Sequence, residues 1–237
     1  MINLHKELLA KIDSAITLLK EIENNFIPSV FSNSFGAEDM VLTDILAKNA
    51  PSISMITLDT GRLPAETYLI MEEVKEKYSI SLDIYFPDPK DLEPFLNQFG
   101  PNAFYSSGQL RRACCKIRKI LPLKRALSGK KAWITGMRKQ QSVEREDLPL
   151  SYFDQEFQLH KFNPLIEWTT EEIWGYIRHF KVPYHPLHDQ NYPSISCAPC
   201  TRSIKEGEDL RAGRWWWENT SDKKECGIHF ENYAATK

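Results

Sequence analysis

Val30-Phe31-Ser32-Asn33-Ser34-Phe35-Gly36-Ala37-Glu38-Asp39 is the stretch that decides the fold. Val30 and Phe31 end a short buried strand. Asn33 to Gly36 form a polar turn. A helix then opens with Glu38 and Asp39 in its first turn, where acids complement the helix dipole. The same grammar repeats downstream. Residues 53–58 read as a second strand ending in Asp59-Thr60-Gly61, and 64–78 as a helix with Pro64 in its first turn. Residues 82–86 are a third strand and 91–99 a short helix. Residues 109–127 form a long basic helix with a kink near Pro122. Residues 132–135 are a fourth strand, 157–162 a fifth, and 170–180 a helix capped by Thr169 or Thr170. Upstream, Leu4, Leu8, Leu9, Ile12, Ile16 and Leu19 recur at helical spacing. Strands alternating with helices predict an α/β fold, a parallel twisted sheet with helices on both faces. Ligands bind such sheets beyond the carboxyl ends of the strands. The turns SNSFGAED, LDTGRLP and TGMRKQQS should therefore meet on one edge. The first resembles phosphate-cradling loops at helix N-termini, but matches neither a Walker A loop nor G-x-G-x-x-G.

The chain has 237 residues, 42% hydrophobic and 26% charged, which is ordinary globular composition. Its net charge is −2, unlike a protein that binds nucleic acid through bulk positive charge. No apolar stretch approaches the ~20 residues of a membrane span. The N-terminal residues carry Glu7, Asp13 and Glu21 where a signal peptide would be apolar. A cytoplasmic protein is expected. Beyond about residue 185 periodicity fades into HPLHDQNYPSISCAPCTR, then a segment with three consecutive tryptophans. The expected division is a nucleotide-binding body, 1–203, and a C-terminal tail, 204–237.

Five cysteines in a chain without a secretory signal point to metal or catalysis rather than disulfides. Cys114-Cys115 and Cys197-Ala-Pro-Cys200 supply four soft ligands, suited to tetrahedral zinc or an iron–sulfur cluster. Adjacent residues on a helix point about 100° apart. That divergence favours a 4Fe–4S cluster over a single small ion. Cys226 is left over, preceded by Lys223 and Lys224, and nearby cations raise the thiolate fraction of a cysteine. It reads equally as a nucleophile or a bystander.

Nine of the 30 basic residues lie in 111–131, which contains no acid; the other 21 face 32 acids, a net −11. This concentrates positive field around Cys114-Cys115 and suits an anionic substrate. Lys116, Lys124, Lys130 and Lys131 are the candidates for a plain solvated face. Arg138, Lys139 and Arg145 follow the fourth strand, and Arg211 and Arg214 flank the tryptophans. Arginine matches phosphate and sulfate oxygens bidentately.

Taken together, SNSFGAED, LDTGRLPAETY, RRACCKIRKILPL, TGMRKQQSVER, NPLIEWTTEEIW, VPYHPLHDQNYPSISCAPCTR, GRWWWE and KKECGIH resemble the assimilatory adenylyl-sulfate reductases of the phosphoadenylyl-sulfate reductase family. Ile228 and Gln140 are mild departures from that pattern. The resemblance implies an adenine nucleotide α-hydrolase-like fold with a modified pyrophosphate loop. It implies a 4Fe–4S cluster on Cys114, Cys115, Cys197 and Cys200, and Cys226 as the catalytic nucleophile. It places Lys119, Arg145, Arg211, Arg214 and His229 around the phosphosulfate, and Arg138 is a further candidate for substrate binding. Ser32, Ser34, Phe35, Gly36, Leu58 and Gly136 would line the nucleotide pocket. The implied reaction is reduction of adenosine 5′-phosphosulfate to sulfite and AMP through a Cys–S–sulfonate, with reduced thioredoxin or glutaredoxin as electron donor. No nucleic-acid or membrane partner is expected, and a homo-oligomer is left open. Rival readings are a reductase of the 3′-phosphorylated nucleotide, a pyrophosphate-loop thiolation enzyme, and a zinc-stabilised nucleic-acid-binding module.

Overall fold

The computed structural model describes residues 6–218, apart from the Glu144 side chain. Helix α1, Lys6–Asn25, leads into strand β1, Ser29–Ser32, and helix α2, Ala37–Asn49. Strand β2, Ser54–Leu58, precedes α3, Ala65–Tyr78; strand β3, Leu82–Tyr85, precedes α4, Pro89–Phe99. Helix α5, Gly108–Cys115, runs through a π-helical turn, Lys116–Ile120, into α6, Leu121–Leu127. Strands β4, Ala132–Ile134, β5, Ser151–Asp154, and β6, Leu159–Phe162, precede α7, Thr170–Phe180. No helix among the described residues is long and apolar enough to cross a membrane.

The six strands form one sheet in the order β3-β2-β1-β4-β6-β5. All neighbours are parallel except β5 with β6. The expected parallel sheet is thus present, with one antiparallel edge pair added to it. The unforeseen strand β5 is short and turns back through Asp154, whose Oδ1 accepts from the Glu156 and Phe157 N–H groups. Gln158 sits at φ 54° in that turn, where no glycine or asparagine advertises a hairpin. An antiparallel edge on an otherwise parallel sheet is common in large sheets.

Alternation along each central strand fills two cores. Phe31, Met55, Ala132 and Ile134 face one side, against α1, α2, α3 and α7. Val30, Ile56 and Trp133 face the other, against Leu123, Ala126 and Leu127 of α6. Helix α2 is buried nearly all round from Asp39 to Leu46, because α1 and α7 both pack on it. Thr169 caps α7 in a reciprocal box with Glu172, and Lys11 of α1 pairs with the same carboxylate.

Strand order reverses between β1 and β4. Successive strands β1, β2 and β3 build leftward, and the chain then crosses back to lay β4 on the other side of β1. Such a switch point opens a crevice at the carboxyl ends of the two strands.

Candidate active site

Residues 33–36 enter the crevice from β1. The Asn33 N–H donates to Ile56 O at 2.8 Å, its Nδ2 donates to Thr43, and its Oδ1 accepts from the Phe35 N–H at 2.7 Å. Phe35 takes φ 61°, and its side chain is swallowed by the main core. Phe35 therefore lines neither nucleotide-sized cavity and contributes only its backbone turn, which corrects its assignment to the pocket wall. Gly36 caps α2 with no side-chain hydrogen bond, and Gly36, Ala37, Glu38 and Asp39 border the crevice.

Asp39 ties the loop to the neighbouring strand. Its Oδ2 accepts from the Ser34 N–H at 2.7 Å and the Ser34 hydroxyl at 2.6 Å. A Cβ at Gly136 would stand 2.2 Å from Asp39 Oδ1, so only glycine lets the β4 turn approach this closely. Burial raises the Asp39 carboxyl to about 6; repulsion from Glu38 adds to this, while hydrogen bonds from Ser34 and the Gly136 backbone oppose it.

Two cavities occupy the crevice. The smaller, about 140 Å³, is walled by Leu58, Leu63, Leu123 and Trp133 with Ser32 and Ser34 at its edge. The larger, about 280 Å³, lies over the α2 N-terminus and carries Arg138, Arg145, Arg211, Arg214 and Lys119. Ser32, Ser34, Lys119, Ile195 and Ser196 border both. Gly36 and Gly136 border the larger one and Leu58 the smaller.

The cations are not equivalent. Arg138 is buried and gives Nε and Nη2 to Glu38 Oε1, at 2.9 and 2.7 Å, and Nη1 to Trp168 O. Burial, the largest single influence, raises the Glu38 carboxyl, but Arg138, a backbone hydrogen bond and Gln141 together outweigh it and hold the group below its usual value. Arg138 thus fastens α2 to the β4 turn, and its charge is already neutralised. Arg145 donates to Gln141. Lys119 Nζ donates to Ser196 Oγ at 2.6 Å, and Arg214 Nη1 to Ser194 Oγ at 3.2 Å. Together with Arg211 these cations give the larger cavity a positive lining. Glu38, Ser194, Ser196 and His188 were missed by sequence reasoning. His188 holds its Nδ1 on the Tyr192 carbonyl at 2.9 Å and borders the larger cavity, with burial lowering its basicity.

A third cavity adjoins Lys119 and is bordered by Cys114, Cys115, Cys197 and Cys200. Arg111, Cys114, Cys115, Arg118 and Lys119 follow one another at helical spacing, so one stripe of α5 and the π turn faces it. The expected solvated face is visible on the other side: Lys116, Lys124 and Lys131 are exposed and Lys130 half-buried. Thr60, from the LDTGR turn, stands 3.2 Å from Cys197 Sγ, and its carbonyl accepts from Arg118 Nη1 at 2.6 Å. Burial would push the Cys197 thiol up; Lys119, the Thr60 hydroxyl, Arg214 and Arg118 reverse this and hold it low. Cys200 is pushed up to about 12 by burial and by its neighbour Cys197. Among the described residues no three His, Cys, Asp or Glu side chains gather to hold one metal ion. The four cysteines surround a cavity instead, lined by two buried donors without hydrogen-bond partners, Arg111 Nη1 and Arg118 Nε. Soft sulfur donors around an electropositive void fit an anionic cluster. Cys226 and His229 lie outside the described residues.

A family model described as the phosphoadenosine phosphosulfate reductase domain matches residues 28–203. The chain belongs to the phosphoadenosine phosphosulfate reductase family. Within that family it is similar to an adenosine 5′-phosphosulfate reductase of Allochromatium vinosum, 49% identical over 93% of this chain and 86% of that protein. A protein of the same name from Burkholderia cepacia is 46% identical over 94% of this chain and 89% of its own length. The crystal structure of a phosphoadenylyl-sulfate reductase from Candida auris, a phosphate complex, aligns with TM-score 0.68 at 27% identity, covering 86% of this chain and 99% of that one. An NH3-dependent NAD synthetase from Campylobacter jejuni shares the fold alone, with TM-score 0.51 at 12% identity over 73% of each chain. The α/β reductase fold expected from the sequence is the one observed.

Proposed function

We propose that the protein reduces adenosine 5′-phosphosulfate to sulfite and AMP in assimilatory sulfate reduction, with a reduced thioredoxin or glutaredoxin as electron donor. The observation that carries this reading is Lys119, which borders the apolar cavity, the cationic cavity and the four-cysteine cavity at once. One substrate bridging the first two would bring its anionic end against the third. The 46–49% identity to proteins named for this substrate supports the same choice.

Adenine fits the smaller cavity, between Leu58 and Trp133. The phosphosulfate then lies over the α2 N-terminus among Lys119, Arg145, Arg211 and Arg214. These cations offset repulsion between an anionic nucleophile and a dianionic group as charge shifts to the leaving oxygen. Cys226, on the segment from residue 204 that follows the nucleotide-binding body, attacks the sulfur as thiolate. The S–O anhydride bond breaks and its electron pair leaves with AMP. The enzyme retains Cys–S–SO3−. A thiolate of the external dithiol then attacks Cys226 Sγ, and sulfite departs with the S–S bonding pair. The second thiol of the donor closes a disulfide and frees Cys226. Both electrons come from the dithiol, so the balance closes. Cys114, Cys115, Cys197 and Cys200 would hold a 4Fe–4S cluster; when bound, it supplies a compact buried negative charge beside Lys119 and Arg118. The thiols and the dithiol donor need a reducing compartment, which places the reaction in the cytoplasm.

The test is sulfite release from adenosine 5′-phosphosulfate and from its 3′-phosphorylated form, by anaerobically purified protein with reduced thioredoxin. A kcat/KM at least tenfold higher for the first supports the reading. The reverse preference moves the substrate to the 3′-phosphorylated nucleotide, and no sulfite from either overturns the activity.

A further inference from the structure

Arg111 is 1% exposed, one turn before Cys115 on the same helix. Its Nε donates to Glu218 Oε1 at 2.5 Å, and both side chains are buried. A buried arginine–carboxylate pair satisfies itself best by two parallel hydrogen bonds. This pair makes one. Arg111 Nη1 and Glu218 Oε2 are both buried and have no hydrogen-bond partner. The guanidinium is held another way. Its Cζ stands 4.4 Å over the Trp215 ring, Arg214 Cζ lies 4.6 Å from the same ring, and Trp215 is itself buried. The Trp215 backbone N–H donates to Cys200 O at 3.3 Å, so the residue is tied to the second cysteine pair. Arg111 borders the four-cysteine cavity beside Cys115.

We propose that Arg111 is a positioning residue for the group held by the four cysteines: Glu218 and Trp215 fix its guanidinium so that Nη1 donates toward the sulfurs, and the Glu218 charge moderates how much positive field they feel. This rests on the cluster reading above. An anionic cluster leaves a donor such as Nη1 satisfied, and a neighbouring counter-anion keeps a buried cation from being uncompensated when the site is empty.

The experiment uses full-length protein purified anaerobically, as wild type, Arg111→Gln, Arg111→Lys and Glu218→Gln. Iron and sulfide are counted, the cluster midpoint potential is measured, and the half-life of the visible absorption is followed against a chelator. Wild type without iron and sulfide overturns the cluster reading itself, apart from this inference. With wild type loaded, Arg111→Gln shortens the half-life by about tenfold, as loss of a charge-assisted hydrogen bond does. It also moves the potential to more negative values, because a cation no longer stabilises the reduced state. Arg111→Lys keeps the charge and recovers most of the potential. Glu218→Gln keeps its acceptor oxygen and the geometry, and moves the potential the opposite way, to more positive values. A merely structural pair would shift both variants in the same direction or neither, and that result overturns the proposal. Should Arg111→Gln fail to load, Glu218→Gln decides: an unchanged or more negative potential overturns it.

Discussion

Asp39 shows how one side chain can serve the site at a cost to stability. It is 8% exposed and joins Ser34 on the turn after β1 to Gly136 on the β4 turn. Its carboxyl is raised to about 6 in the folded protein, against 3.8 ordinarily. The folded state therefore holds a proton more tightly than the unfolded one between those values, so this group's contribution to stability falls as pH rises through that window. Asp39→Asn removes the titration. The stability of wild type minus that of Asp39→Asn should fall by about 2–3 kcal/mol between pH 4 and pH 7, read from urea midpoints. A difference independent of pH would mean that folding leaves the Asp39 carboxyl at its ordinary value. Cys226 belongs to this scale too. Cys226→Ser should abolish sulfite release, and no sulfonate adduct should appear by intact-mass measurement under single turnover without thiol. Bound iron should stay unchanged. Sulfite at near wild-type rate would remove Cys226 from the mechanism.

Among the elements, the π turn joins the helix that carries the two adjacent cysteines to α6. Pro122 lacks an N–H and its ring would clash with the carbonyl of Arg118 in a regular helix. The chain widens over Lys116–Ile120, with the Leu121 N–H reaching back to Lys116 O. That wide turn carries Arg118 and Lys119, while Cys114 and Cys115 end the regular helix before it. Such bulges recur at functional sites because they re-aim side chains. Pro122→Ala allows a regular turn and shifts Lys119 relative to the cysteines. We expect kcat/KM to fall about tenfold while the melting temperature holds or rises, since displacement of a positioning group is costly and alanine restores a helix N–H. A lower melting temperature with unchanged kcat/KM would refute this role. The irregularity near Pro122 was legible in the sequence; its π-helical form was not, because a proline is compatible with either a kink or a widened turn.

The whole molecule is a sheet whose switch point lies between β1 and β4, with three cavities that meet at Lys119 and Ser196. The cysteine cavity draws one wall from α5 and the other from residues 197–200, far apart in the chain. A group bound to all four sulfurs closes that long loop and binds only the folded state, which stabilises it by mass action. Removing iron anaerobically should therefore lower the melting temperature by about 5 °C or more, with far-UV circular dichroism at 20 °C little changed. Equal melting temperatures with and without iron would mean that the body folds independently of the cysteine site.

Periodicity, turn chemistry and cysteine spacing suffice for the α/β class, for five of the six strands, and for most residues around the crevice. These are local signals, written within a few residues of one another. Phe35 and Arg138 lay beyond such reading. Phe35 stands in a polar turn, yet a positive φ sends it into the core. Arg138 is a cation among cations in its own segment, yet Glu38, one hundred residues away, neutralises it. The edge strand β5 escaped notice because its turn uses Gln158 where a glycine would signal a hairpin. Burial and long-range pairing assign which charge is neutralised and which side chain is swallowed by the core. Those depend on what the fold places alongside, and no window of sequence contains both partners.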